Sequence, residues 1–132
     1  GGLLSKKMTD VPYCSNYFKG SIIAYDNMIK EKLLGVSSNL LNEKGAVSSE
    51  VALEMAKGVR ERFNTDIGVA TTGISGPGGG SKTKPIGLIY IAIITHNKKI
   101  VKKFNLLPQR KEHREIAVQT AFNMIRLLLL KN

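Results

Sequence analysis

The sequence predicts an α/β fold, a mixed β-sheet covered by helices in a single three-layer domain. Three observations lead there. Helical and strand patterns alternate early in the chain, a strand hairpin follows, and a long amphipathic segment comes last. At 132 residues the chain suits one domain. An apolar share of 42% is enough for a core of useful size.

Leu3 to Thr9 reads as a short helix without a visible cap. Ser21-Ile22-Ile23-Ala24-Tyr25 reads as a buried strand. Met28 to Leu34 has a helical pattern, stopped by Gly35. The clearest helix begins after Val47, with Ser48 as its N-cap and Glu50 complementing the dipole. Val51, Met55, Val59 and Phe63 recur at four-residue steps beside Ala52 and Ala56, giving one apolar face. Ile67 to Ala70 is a short strand that runs into a glycine-rich loop. Gly87 to Thr95 is a long strand, His96-Asn97 a turn, and Ile100 to Phe104 completes a hairpin. The last helix spans about Lys111 to Leu130, with Ile116, Ala117, Ala121, Met124, Ile125 and Leu128 facing inward. The pattern leaves the order of strands open.

A net charge of +10 favours anionic partners. The lysines are dispersed in pairs (Lys6-Lys7, Lys98-Lys99, Lys102-Lys103), and no aromatic residues interleave with them as a stacking surface for nucleic acid requires. A small anionic ligand is therefore expected, and nucleic acid is not. A solvated, lysine-biased surface is the plain alternative. The single cysteine, Cys14, cannot form an internal disulfide, so no oxidising compartment is implied. Leu127 to Leu130 is too short to span a bilayer, and the start has no leader pattern, so a cytoplasmic protein without membrane contact is expected. Neither His96 nor His113 has partners at metal-binding spacing, and neither a metal nor another cofactor is expected.

The strongest local signal is Thr71-Thr72-Gly73-Ile74-Ser75-Gly76-Pro77-Gly78-Gly79-Gly80, directly after a strand. Glycines let main-chain N–H groups approach a phosphate or a developing oxyanion, and the hydroxyls of Thr71, Thr72 and Ser75 add donors. A P-loop is excluded. Ser81 stands where its second glycine belongs, and a strand follows where a P-loop opens a helix.

That loop resembles the T-G-I-x-G-P-x-G-G motif of the CinA C-terminal domain, the nicotinamide-mononucleotide deamidase family. Six further segments agree in order. Gly1-Gly2-Leu3-Leu4 resembles the end of E-S-C-T-G-G, Phe18 the aromatic after G-S-S, and Tyr25-Asp26-Asn27 with Lys30 the motif Y-x-N-x-x-K. Leu34-Gly35-Val36, Gly45-Ala46-Val47-Ser48 and Lys84-Pro85-Ile86-Gly87 complete the set. The resemblance implies one CinA C-terminal-like amidase domain over residues 1–132, without the family's first helix and strand.

It also implies an amidohydrolase that converts nicotinamide mononucleotide and water to nicotinate mononucleotide and ammonia, in a homo-oligomer, with a metal-free Ser–Lys site. Tyr13-Cys14-Ser15 occupies the place of G-S-S, so Ser15 maps to the nucleophile, Lys30 to the base and Tyr25 to its helper. Thr72, Gly73, Ser75, Gly76, Gly78, Gly79, Arg110 and Arg114 map to substrate binding. The chemistry is coherent, since a serine hydroxyl needs a base and lysine serves once burial or nearby positive charge lowers its pKa. On residue type alone Ser15 would be a turn residue, Lys30 a solvated helix face and Tyr25 core. Tyr13 stands where the family has a glycine that eases a tight backbone path, which leaves room for a second reading, a nucleotide-binding or regulatory module without catalysis. A nucleic-acid accessory role ranks third.

Overall fold

Caps and stops set the helices. In the computed structural model, which describes residues 1–131, α1 spans Leu3–Thr9, α2 Asn27–Leu34, α3 Ser38–Lys44, α4 Ser49–Phe63 and α5 Arg110–Leu130. Asp26, Ser37 and Ser48 each cap a helix, accepting from the N–H of Met28, Leu40 and Val51 respectively. Gly35 ends α2 in the left-handed conformation, and its N–H returns to the Glu31 carbonyl. The reading of the sequence gave no element to α3. It carries a serine cap and a following glycine, but buries only Leu41, too little for a periodic pattern.

Three strands, β1 (Gly68–Gly73), β2 (Leu88–Ile94) and β3 (Lys99–Asn105), form a sheet of order β1-β2-β3. Both pairings are antiparallel, with Val69 opposite Ile93 and Ile93 opposite Ile100. The expected hairpin is β2–β3, closed where the Thr95 hydroxyl accepts from the N–H groups of Asn97 and Lys98. β2 is buried on both faces. Ala92 and Ile94 join a core with Val51, Ala52, Met55 and Ala56 of α4, while Ile89, Ile91 and Ile93 join Ala117, Ala121, Met124 and Leu128 of α5. A period of two along one strand thus feeds two helical layers, and the three-layer α/β architecture follows.

Two expectations need correction. The sheet is antiparallel throughout, not mixed, and Ser21–Tyr25 is not a buried strand. The alternation in that segment is real, because Ile22 and Ala24 pack on the α4-side core while Ile23 is 59% and Tyr25 71% exposed. Alternation directs side chains, but a ladder needs a neighbouring strand, and none lies alongside among the described residues.

α2 and α4 meet backbone to backbone. A Cβ placed on Gly58 of α4 would lie 1.9 Å from the Leu34 carbonyl oxygen. Ala has the better helix propensity by about 1 kcal/mol, yet such overpacking costs roughly 1–3 kcal/mol or more. Gly58→Ala is therefore expected to lower stability in urea denaturation. A more stable variant would show that the two helices stand further apart.

Candidate active site

Lys30 lies one turn into α2 on the face it shares with Leu34, turned towards the core. It is only 5% exposed. Its Nζ donates to the Tyr25 carbonyl at 3.2 Å and makes no ion pair among the described residues. Asp26, one turn earlier, is occupied in capping the helix. Burial therefore holds the Lys30 amine below the ordinary lysine range, and the Asp26 charge opposes this only in part.

Arg110, the first residue of α5, links three parts of the molecule. One guanidinium nitrogen donates to the Gly76 carbonyl at 2.9 Å, and the other donates to the Tyr25 hydroxyl at 2.9 Å. Arg114, one turn further along α5, comes close to Gly1, as does the Tyr25 ring. A Cβ placed on Gly1 would lie 3.4 Å from its guanidinium and 3.8 Å from the Tyr25 ring. Neither arginine takes part in an ion pair among the described residues. Two unneutralised guanidinium groups near a buried lysine attract an anion.

The glycine-rich loop joins β1 to β2. Its neck is pinned by the Ile74 N–H to the Leu88 carbonyl and the Gly87 N–H to the Ile74 carbonyl, both 2.8 Å. Above the neck the N–H groups of Gly76, Gly78, Gly79 and Gly80 have no protein acceptor among the described residues. Gly76 and Gly79 have φ of 75° and 85°, a left-handed path that glycine takes without strain. The loop side chains are more committed. The Thr72 hydroxyl donates to the Ala46 carbonyl at 2.7 Å, and Ser75 Oγ lies 2.8 Å from Nδ1 of His113. Gly73, the last residue of β1, sits against Ile89 and the Leu88 carbonyl, where a side chain would not fit.

Tyr25, Lys30, Gly76, Arg110 and Arg114 are thus brought together by hydrogen bonds or close approach. Ser15 is not tied into the group. It sits exposed in a single 3-10 turn, Cys14–Asn16, and shares no hydrogen bond with Lys30. Tyr13 starts that turn at φ 66°, the backbone position where the family motif has glycine. His113 was not among the expected site residues. The usable signal was its spacing of three from Arg110, which sets both on one side of a helix.

Two surface hollows, lined in part by Lys32, Gly58 and Arg62 and by Asp66, His96 and Leu128, share no residue with this cluster. Among the described residues no group of three His, Cys, Asp or Glu is placed to hold a metal, and no helix is long and apolar enough to cross a membrane.

Comparison with known proteins gives a consistent picture. The family model described as CinA C-terminal domain matches residues 1–129. A CinA-like protein of Prochlorococcus marinus is 45% identical over 135 residues, covering 100% of this chain and 31% of the relative. A second CinA-like protein, from Acidobacterium capsulatum, is 42% identical and covers 98% of the chain and 31% of the relative. The chain therefore spans about a third of the length of these relatives. Among solved structures, the competence/damage inducible protein CihA of Agrobacterium tumefaciens superposes with a TM-score of 0.94 at 36% identity, covering 97% of this chain and 79% of that one.

The buried amine has a consequence for stability. Its folded pKa lies below its unfolded value, so the unfolded chain binds the proton more tightly, and stability rises with pH from the folded value up to about 10.4. Lys30→Met removes the desolvated charge. It is expected to be about 1 kcal/mol more stable at pH 7, roughly 3–5 °C in Tm, with the gain shrinking as pH approaches about 10.4. A lower Tm at pH 7 would mean that Lys30 is well solvated or well paired.

Proposed function

The chain belongs to the CinA C-terminal domain family, and from that premise we propose that it is an amidohydrolase converting nicotinamide mononucleotide to nicotinate mononucleotide and ammonia. The observation that carries this reading is Lys30, 5% exposed and, among the described residues, unpaired by a carboxylate, within a group that also holds free main-chain donors and two unneutralised arginines. A pyridine nucleotide carries an anionic phosphate and an amide carbonyl, and these donors suit both.

In the proposed mechanism Lys30 acts as the uncharged base and Ser15 as the nucleophile. Nζ takes the hydroxyl proton while the Ser15 oxygen adds to the amide carbonyl. The same proton then goes to the departing nitrogen, and ammonia leaves. Water adds to the resulting ester by the same route, releasing the carboxylate and restoring the serine. The glycine-loop N–H groups hold the oxyanion or the phosphate. Tyr25 accepts a hydrogen bond from Arg110, so its own proton remains free to be donated towards the amine or the substrate. The Cys14–Asn16 turn has to bring Ser15 to Lys30, since no hydrogen bond joins them in the present arrangement.

That separation favours one second reading, a site that binds the nucleotide without turning it over. An ammonia assay paired with calorimetric binding tells the two apart. Ammonia release is expected, falling about 10²–10⁴-fold in Lys30→Met and in Ser15→Ala, with binding kept in Ser15→Ala. Activity should rise with pH through the lowered Lys30 pKa, because only the unprotonated amine acts as base. Binding with no turnover would remove the amidase and leave the binding module. Full activity in Ser15→Ala alone would remove Ser15 and keep Lys30.

A further inference from the structure

We propose that His113 is a positioning residue, holding the glycine-rich loop in its anion-binding shape through Ser75. The inference rests on the loop being part of the nucleotide site and adds a residue and a constraint to it. His113 is 1% exposed, and its ring Nδ1 lies 2.8 Å from Ser75 Oγ in a hydrogen bond. Nε2 is buried with no partner of ordinary geometry. A buried ring left half unsatisfied is costly, and packing alone would be served as well by an aliphatic side chain. What the imidazole supplies is a hydrogen-bond partner for the loop.

The geometry has a specific consequence. His113 and Arg110 project from the first turns of α5 and grip consecutive loop residues, Ser75 by its hydroxyl and Gly76 by its carbonyl. The loop is thereby fixed to α5 just before the free N–H groups of Gly78, Gly79 and Gly80. Arg110 carries the same restraint on to Tyr25, whose carbonyl holds Lys30. The groups that bear on the ring are Arg110 from its own helix, Ser75 from the loop and the Gly87 backbone at the start of β2. Burial disfavours the charged ring, the Gly87 backbone opposes this, and the Arg110 charge adds to it. Neutral His113 with its proton on Nε2 leaves Nδ1 to accept from Ser75. A charged ring would instead donate to Ser75 and force the hydroxyl to turn.

The test uses the whole chain and has two readouts. In ligand-free protein, NMR should show the Ser75, Gly76 and Gly78 amide signals shifting as His113 titrates in acid, and no such shift in His113→Asn, which keeps an acceptor near Nδ1 but cannot charge. At pH 7.5, nicotinamide mononucleotide should bind about tenfold more weakly to His113→Leu and to Ser75→Ala, and about tenfold, not a hundredfold, more weakly to the double variant. His113→Asn should stay within about threefold of wild type. Should His113→Leu fail to fold, Ser75→Ala against wild type carries the same comparison. Loop amides indifferent to His113 titration, additive losses in the double variant, or full affinity in Ser75→Ala would each overturn the proposal. Amides that follow His113 in a protein with no affinity for the nucleotide would leave it standing and remove the proposed substrate.

Discussion

A lysine ammonium withdrawn from water with no carboxylate against it is the constraint around which the rest of this molecule is arranged. Desolvating a charge is expensive, and proteins normally answer the cost by pairing it. Here Asp26, one turn away, is spent on the helix cap, and a main-chain carbonyl meets the amine. Burial therefore holds its pKa below the ordinary lysine range. A lysine in that condition can accept a proton from a weak nucleophile, which an ordinary surface lysine cannot do at neutral pH.

Holding that amine in place draws on elements far apart in the chain. α2 carries Lys30 and packs tightly on α4 through Gly58, so its axis is fixed against the sheet. α5 lies on the other face of the sheet and sends Arg110 back over the edge to Tyr25 and Gly76. The β1–β2 connection supplies the free N–H groups between them. Two helical layers and one hairpin neck thus converge on one group of donors. The positive charge on that group is local and unneutralised, a more specific matter than the net charge of +10.

Much of this was legible in the sequence, for physical reasons that differ by element. The bounds of α2 and the start of α4 were placed within a residue because the cap chemistry is local. The β2–β3 hairpin was legible because a two-residue turn fixes it. Ser21–Tyr25 misled because alternation reports the side-chain environment, whereas a strand is defined by a neighbour, which lies outside any local window. α3 escaped because a seven-residue helix with one buried side chain has no period to detect. The candidate site is a different case. Lys30, Tyr25 and Arg110 came from a family resemblance, and nothing in their spacing alone would have separated them from solvated surface. Ser75 was read as a substrate donor, but its hydroxyl faces His113, a partner 38 positions away that only the packing of α5 on the loop brings within reach.

The most direct measurement is the titration of the Lys30 side chain itself, followed by NMR of the 13Cε signals in lysine-labelled protein and assigned with Lys30→Met. A midpoint clearly below about 10.4 is expected, apart from the envelope of the other lysines. A midpoint at or above that value would mean that the amine is solvated or paired, and that it cannot serve as the base of this site.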